Sequence, residues 1–112
     1  MSAITTHVLD TSRGQPAAGV RVELHFKSGD TWKALGEGRT DGNGRCQSLA
    51  GEAQLEAGTY RLVFHVGAYY QALRVETFYS EIPVIFHVRD GGAHYHLPLL
   101  LGPYGYSTYR GS

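Results

Sequence analysis

An all-β protein, folded as a two-sheet antiparallel sandwich of seven to eight strands with one short helix, is what this sequence predicts. Three observations carry that expectation. Apolar and polar residues alternate with a period of two through most of the chain. The alternating segments are short and are separated by clusters of Gly, Asp, Asn and Ser, which punctuate strands. Only one stretch departs from period two.

In chain order, "AITTHVLD" is rich in β-branched residues and runs into the turn cluster "DTSRGQPAAG". In "GVRVELHFK", Val20, Val22, Leu24 and Phe26 alternate with Arg21, Glu23, His25 and Lys27, the signature of a strand with one dry face. "SGD" predicts a hairpin into "TWKALGEGRT", and "DGNG" at 41–44 a tight turn into Arg45 and Cys46, its glycines suited to positive φ. "AQLEAG" gives no clear signal. "GTYRLVFHV" places Tyr60, Leu62, Phe64 and Val66 on one face. Between Gly67 and Pro83, "AYYQALRVETF" carries Tyr69, Ala72, Leu73 and Glu76 at helical spacing. "PVIFHVRD" is a strand with Pro83 at its entrance, where a missing N–H costs little. "HYHLPLLL" and "YGYSTYRG" are two more, joined at Gly102-Pro103. Strands so spaced, with no internal repeat, imply one sandwich domain over residues 1–112.

Composition narrows the function. Ten basic and ten acidic residues give zero formal charge, which argues against a nucleic-acid partner. It also offers little protection against self-association. A single cysteine, Cys46, rules out an internal disulfide. No apolar run approaches the roughly 20 residues of a membrane span, and "MSAITTHVLD" has neither the basic nor the apolar region of a signal peptide. A cytoplasmic protein without a membrane partner is the expectation.

Histidines are the first candidates for chemistry. His94 and His96 are two apart on a strand and so share a face, and His7 shares its face with Thr5 and Leu9. Three imidazoles suit acid–base work or a zinc ion, though no carboxylate stands near in sequence to support a metal. His25, His65 and His87 fall on polar phases and are expected to face solvent. Arg45 and Arg110 could grip planar oxyanions through paired N–H groups. Cys46 is either a nucleophile activated by Arg45 or a small buried hydrophobe, and the second is the commoner role.

"ITTHVLDTSRGQPAAGVRVEL", "DGNGRC", "GTYRLVFHVGAYY" and "HYHLPLLLGPYGYSTYRGS" occur in the order seen in transthyretin-related proteins, and the resemblance covers nearly the whole chain. The ending Tyr109-Arg110-Gly111-Ser112 resembles that of the family's 5-hydroxyisourate hydrolase branch. The hormone-carrying branch lacks that ending and the histidines matching His7 and His96. Gly102 departs from the serine expected before Pro103-Tyr104-Gly105.

The resemblance implies a transthyretin-like homotetramer, a dimer of dimers, with active sites in the channel between dimers. It implies hydrolysis of 5-hydroxyisourate to 2-oxo-4-hydroxy-4-carboxy-5-ureidoimidazoline in urate degradation, without metal or organic cofactor. The implied catalytic residues are His7, Arg45, His96 and Ser112. The implied substrate contacts are His7, Arg45, Tyr109, Arg110 and Gly111, with Gly105, Tyr106 and Thr108 as framework for the tail. His7 is expected to be the general base and His96 to orient water or protonate the leaving nitrogen, roles that can be exchanged. Two other readings remain: a transthyretin-type ligand carrier without catalysis, and a zinc hydrolase ligated by His7, His94 and His96.

Overall fold

A computed structural model of the chain describes residues 4–47, 49–50 and 55–111. Among them, one sheet is formed by β1 (Ile4–Asp10), β2 (Gln15–Pro16), β5 (Arg45–Cys46), β8 (Tyr95–Gly102) and β9 (Gly105–Thr108). The other has the order β4 (Thr31–Arg39), β3 (Arg21–Ser28), β6 (Gly58–Phe64), β7 (Ile82–Val88). The predicted sandwich is the observed one. The two strands not expected, β2 and β5, are two residues long, too short to show alternation.

The alternation read from the sequence points where it should. Ile4 and Val8 of β1, Val22 and Leu24 of β3, Leu62 and Phe64 of β6, and Leu99 and Leu101 of β8 are fully buried between the sheets. Each such side chain contributes roughly 1.5–3 kcal/mol by leaving water. One pairing is not antiparallel. β1 and β8 run parallel, with Thr5 opposite His96 and His7 opposite Pro98. This pairing sets His7 and His96 on one face of the sheet.

The helix, α1 (Val66–Ala72), begins and ends earlier than the sequence predicts. Val66, Tyr69 and Tyr70 supply its buried stripe. It stops because Arg74 takes a left-handed φ of 59°, while the Val75 amide donates back to the Tyr70 carbonyl. Leu73 and Glu76 therefore lie beyond it. The buried Asp10 at the end of β1 accepts hydrogen bonds from the Tyr69 hydroxyl at 2.8 Å and the Ser12 hydroxyl at 2.6 Å.

Two histidines expected in solvent are not there. His25 keeps only 12% of its side chain exposed. Its Nε2–H donates to Glu23 at 3.0 Å, and its Nδ1 accepts from Arg61 at 2.8 Å. His65 lies against the same carboxylate at 2.7 Å. Glu23 gathers both imidazoles because a carboxylate offers several acceptor sites and β3 and β6 are paired neighbours. Only His87 is exposed as expected, its Nδ1 3.1 Å from the Thr59 hydroxyl.

Candidate functional site

The outer face of the five-stranded sheet collects the candidate residues, and backbone register does the collecting. His7 pairs with Arg45 across β1 and β5. The turn before Arg45 is held by Asp41, whose Oδ1 accepts from the Asn43 amide at 2.9 Å and the Arg45 amide at 3.0 Å. Those two bonds hold the Asp41 carboxyl below the ordinary carboxylate range. Of the two glycines in this turn only Gly44 uses a positive φ, 76°, and a Cβ there would run into the Val8 carbonyl. The turn delivers the Asn43 carbonyl to His7, whose Nε2–H donates to it at 2.9 Å.

His96 is fixed from two sides. Its Nδ1 lies 2.8 Å from the Thr5 hydroxyl, which also lies 3.0 Å from Nε2 of His94. On the other flank the tail touches down, with the Gly111 amide donating to the His96 carbonyl at 2.7 Å. A Cβ on Gly111 would stand 2.7 Å from Cδ2 of the His96 ring, so only glycine fits without moving the ring. Burial, and then the charge of Arg45 and the neighbouring imidazoles of His94 and His7, lower the His96 pKa below its ordinary value. This environment favours the neutral form of the ring.

Thr5, Thr6, Arg45, Gln47, His94 and His96 wall an open pocket of about 180 Å³, with His7 beside it opposite Arg45. His96 also borders a second hollow of about 310 Å³, which reaches His87, Tyr95, Tyr109 and Arg110. Not every candidate points at the first pocket. The Arg110 guanidinium stacks over the Tyr95 ring at 4.5 Å and donates to the His94 carbonyl at 3.4 Å. Tyr109 is largely exposed. Ser112 lies outside the described residues. Cys46 is buried, with its sulfur against Gly38, as a packing residue would be. Among the described residues no group of three or more His, Cys, Asp or Glu side chains is disposed to hold a metal ion.

Pro98 is a residue that sequence reasoning passed over. It sits inside β8 and has no N–H to give Tyr109, which lies opposite it in the β8–β9 register. Its carbonyl is taken by the Thr108 hydroxyl at 2.6 Å. The strand therefore lapses at Tyr109 and Arg110 and resumes only at Gly111. A proline in a run that otherwise reads as a central strand is the signal that marks this break. Thr5 and Asn43 were also unforeseen as partners of the histidines, since neither sequence spacing nor period links them.

Known proteins share this fold. Residues 4–111 match the HIUase/Transthyretin family. A 5-hydroxyisourate hydrolase of Salmonella dublin is 46% identical over 109 residues, covering 97% of this chain and 80% of its own. The structure of the Klebsiella pneumoniae 5-hydroxyisourate hydrolase superposes with a TM-score of 0.87 at 38% identity, covering all of both chains. Sea bream transthyretin in complex with thyroxine superposes with a TM-score of 0.92 at 32% identity, over 98% of this chain and 95% of that one.

Proposed function

Because the chain belongs to the HIUase/Transthyretin family, we infer that it is a hydrolase that opens 5-hydroxyisourate to 2-oxo-4-hydroxy-4-carboxy-5-ureidoimidazoline in urate degradation. The observation that carries this reading is the convergence of His7, Arg45 and His96 on one sheet face beside a small open pocket. A passive carrier has no use for an imidazole whose neutral form is favoured at the wall of a pocket it shares with a guanidinium.

Opening a ring amide needs an activated water, a stabiliser for the tetrahedral oxyanion and a proton for the leaving nitrogen. His96 is assigned the proton transfers. Its lowered pKa keeps a lone pair available near neutral pH, and the Thr5 contact occupies Nδ1 and leaves Nε2 for the water. His7, the base expected from sequence, has its Nε2–H committed to the Asn43 carbonyl, which suits it to orienting substrate or water through Nδ1. Arg45 binds the imide oxygens and stabilises the developing negative charge. Gly111 leaves room for the His96 ring, Tyr109 and Arg110 are proposed as substrate contacts from the neighbouring hollow, and Ser112 as a further catalytic group. The scheme uses no metal and no organic cofactor.

The same reading covers the assembly and its setting. The full 112 residues act as one domain and associate as a homotetramer, a dimer of dimers. In support, among the described residues β7 and β9 end their sheets unpaired on one side, and Ile85 on β7, Phe78 and Tyr104 are exposed. Open strand edges with exposed apolar side chains call for partners. No helix is long and apolar enough to cross a membrane among the described residues, and a cytoplasmic location is proposed.

The direct test is the ultraviolet decay of freshly generated 5-hydroxyisourate with and without the protein. Acceleration by the wild type and its loss in His96→Ala are expected. Decay at the spontaneous rate with wild-type protein would refute the reading.

A further inference from the structure

One hydroxyl, that of Thr5, lies within hydrogen-bond distance of two imidazoles: 2.8 Å from Nδ1 of the half-buried His96 and 3.0 Å from Nε2 of the exposed His94. A hydroxyl has one proton to give and lone pairs to accept with. It can satisfy both contacts by accepting from both rings or by accepting from one and donating to the other, and the second arrangement makes a chain along which protons can pass. The chain is directional, and it has two orientations that differ by a concerted shift of protons.

We propose that Thr5 and His94 extend His96 into a relay, through which the proton taken from water is balanced by positive charge on the exposed imidazole and not on the buried one. The proposal rests on the hydrolase reading. At rest, His96 Nδ1–H donates to Thr5 Oγ1, and Thr5 Oγ1–H donates to Nε2 of His94. As Nε2 of His96 takes a proton from water and the hydroxide adds to the ring carbonyl, the Nδ1 proton passes to Thr5 and the Thr5 proton passes to His94. His96 is now neutral and carries its hydrogen on Nε2, the form that can protonate the leaving nitrogen. When the C–N bond breaks and that proton leaves, the two relay protons return and the resting state is restored. One proton enters from water and one leaves on nitrogen.

The surroundings favour this division of charge. Burial first, and then Arg45, His94 and His7 on the pocket side, penalise charge on His96, while His87 and Arg110 border the other hollow. Asp41 stands in the turn, where it accepts from the Arg45 amide and is itself held below the ordinary carboxylate range. His94 is exposed, and water can solvate its charge.

The test compares steady-state pH–rate profiles and proton inventories in mixed H₂O and D₂O for the wild type, Thr5→Val, Thr5→Ser, His94→Gln and the Thr5→Val/His94→Gln double variant, with 5-hydroxyisourate as substrate. Thr5→Val should lower kcat roughly 10-fold, a part of the 10²–10⁴ that a general acid–base supplies, with KM little changed. Its inventory should become linear where the wild type is curved. Thr5→Ser should restore both. His94→Gln, at an exposed position that tolerates change, should lose the same factor, and the double variant no more than either single one. An inactive wild type would overturn the hydrolase reading. An active wild type whose Thr5→Val or His94→Gln variant keeps kcat, pH profile and curved inventory, or whose losses multiply, would overturn the relay alone.

Discussion

His96 is an imidazole whose environment penalises its charged form. The chain's folded state binds the His96 proton less readily than its unfolded state, where the ordinary value of 6.5 applies. Two consequences have opposite readouts. The acid limb of kcat/KM should fall below pH 6.5, because neutral His96 persists there. The stability that this residue contributes is full above 6.5 and is lost as pH falls from that value through the folded-state one, which thermal melts across the window would register. Replacing His96 by alanine should lower turnover about 10²–10⁴-fold for a proton-transfer role, and His7→Ala should lower it through lost orientation, both with melting temperature nearly unchanged. The sound control is the exposed His87→Ala. His25→Ala would break contacts to Glu23 and Arg61 and confuse the comparison. At this scale the sequence was legible in singling out His7, Arg45 and His96, which the strand register brings to one sheet face. It was mute where a partner is set by tertiary register, as for Thr5 and for the Glu23 carboxylate shared by two histidines.

Among the elements, the turn before β5 and the tail after β9 do the positioning. Gly44→Ala forces a side chain into a positive φ and against the Val8 carbonyl. It should destabilise by about 1–3 kcal/mol, measured by denaturant or heat, and should lower activity as well because Arg45 follows one residue later. Gly111→Ala should behave differently. Its new Cβ meets a ring edge that can swing aside, so stability should change by no more than about 0.5 kcal/mol while turnover drops with the displaced His96. Equal losses of stability and activity in Gly111→Ala would mean that the tail is only packing. The long strands were legible because a period of two survives over seven or eight residues, as in β3. The two-residue β2 and β5, and the lapse at Tyr109 and Arg110, were not, since those depend on what lies across the sheet. The helix was found but misplaced, because its end is set by the backbone turn at Arg74 and not by the spacing of Leu73 and Glu76.

For the molecule as a whole, open edges and exposed apolar residues point to assembly. Light scattering should return four times the 12.3 kDa chain mass, and Ile85→Lys, on the β7 edge, should lower that mass while leaving the monomer fold intact by circular dichroism. The parallel pairing of β1 with β8 has a consequence in time. It ties Thr5 to His94 across 89 positions of chain, so almost the entire polypeptide lies inside the loop that this contact closes. Closing such a loop is an entropic cost met before any contact repays it, and chains dominated by distant pairings fold over milliseconds to seconds. In refolding from denaturant, catalytic activity should therefore return with the slowest phase, after the local β3–β4 hairpin has formed. A ribosome-bound chain would remain inert until its last strands emerge, which keeps every incomplete copy of this protein catalytically silent.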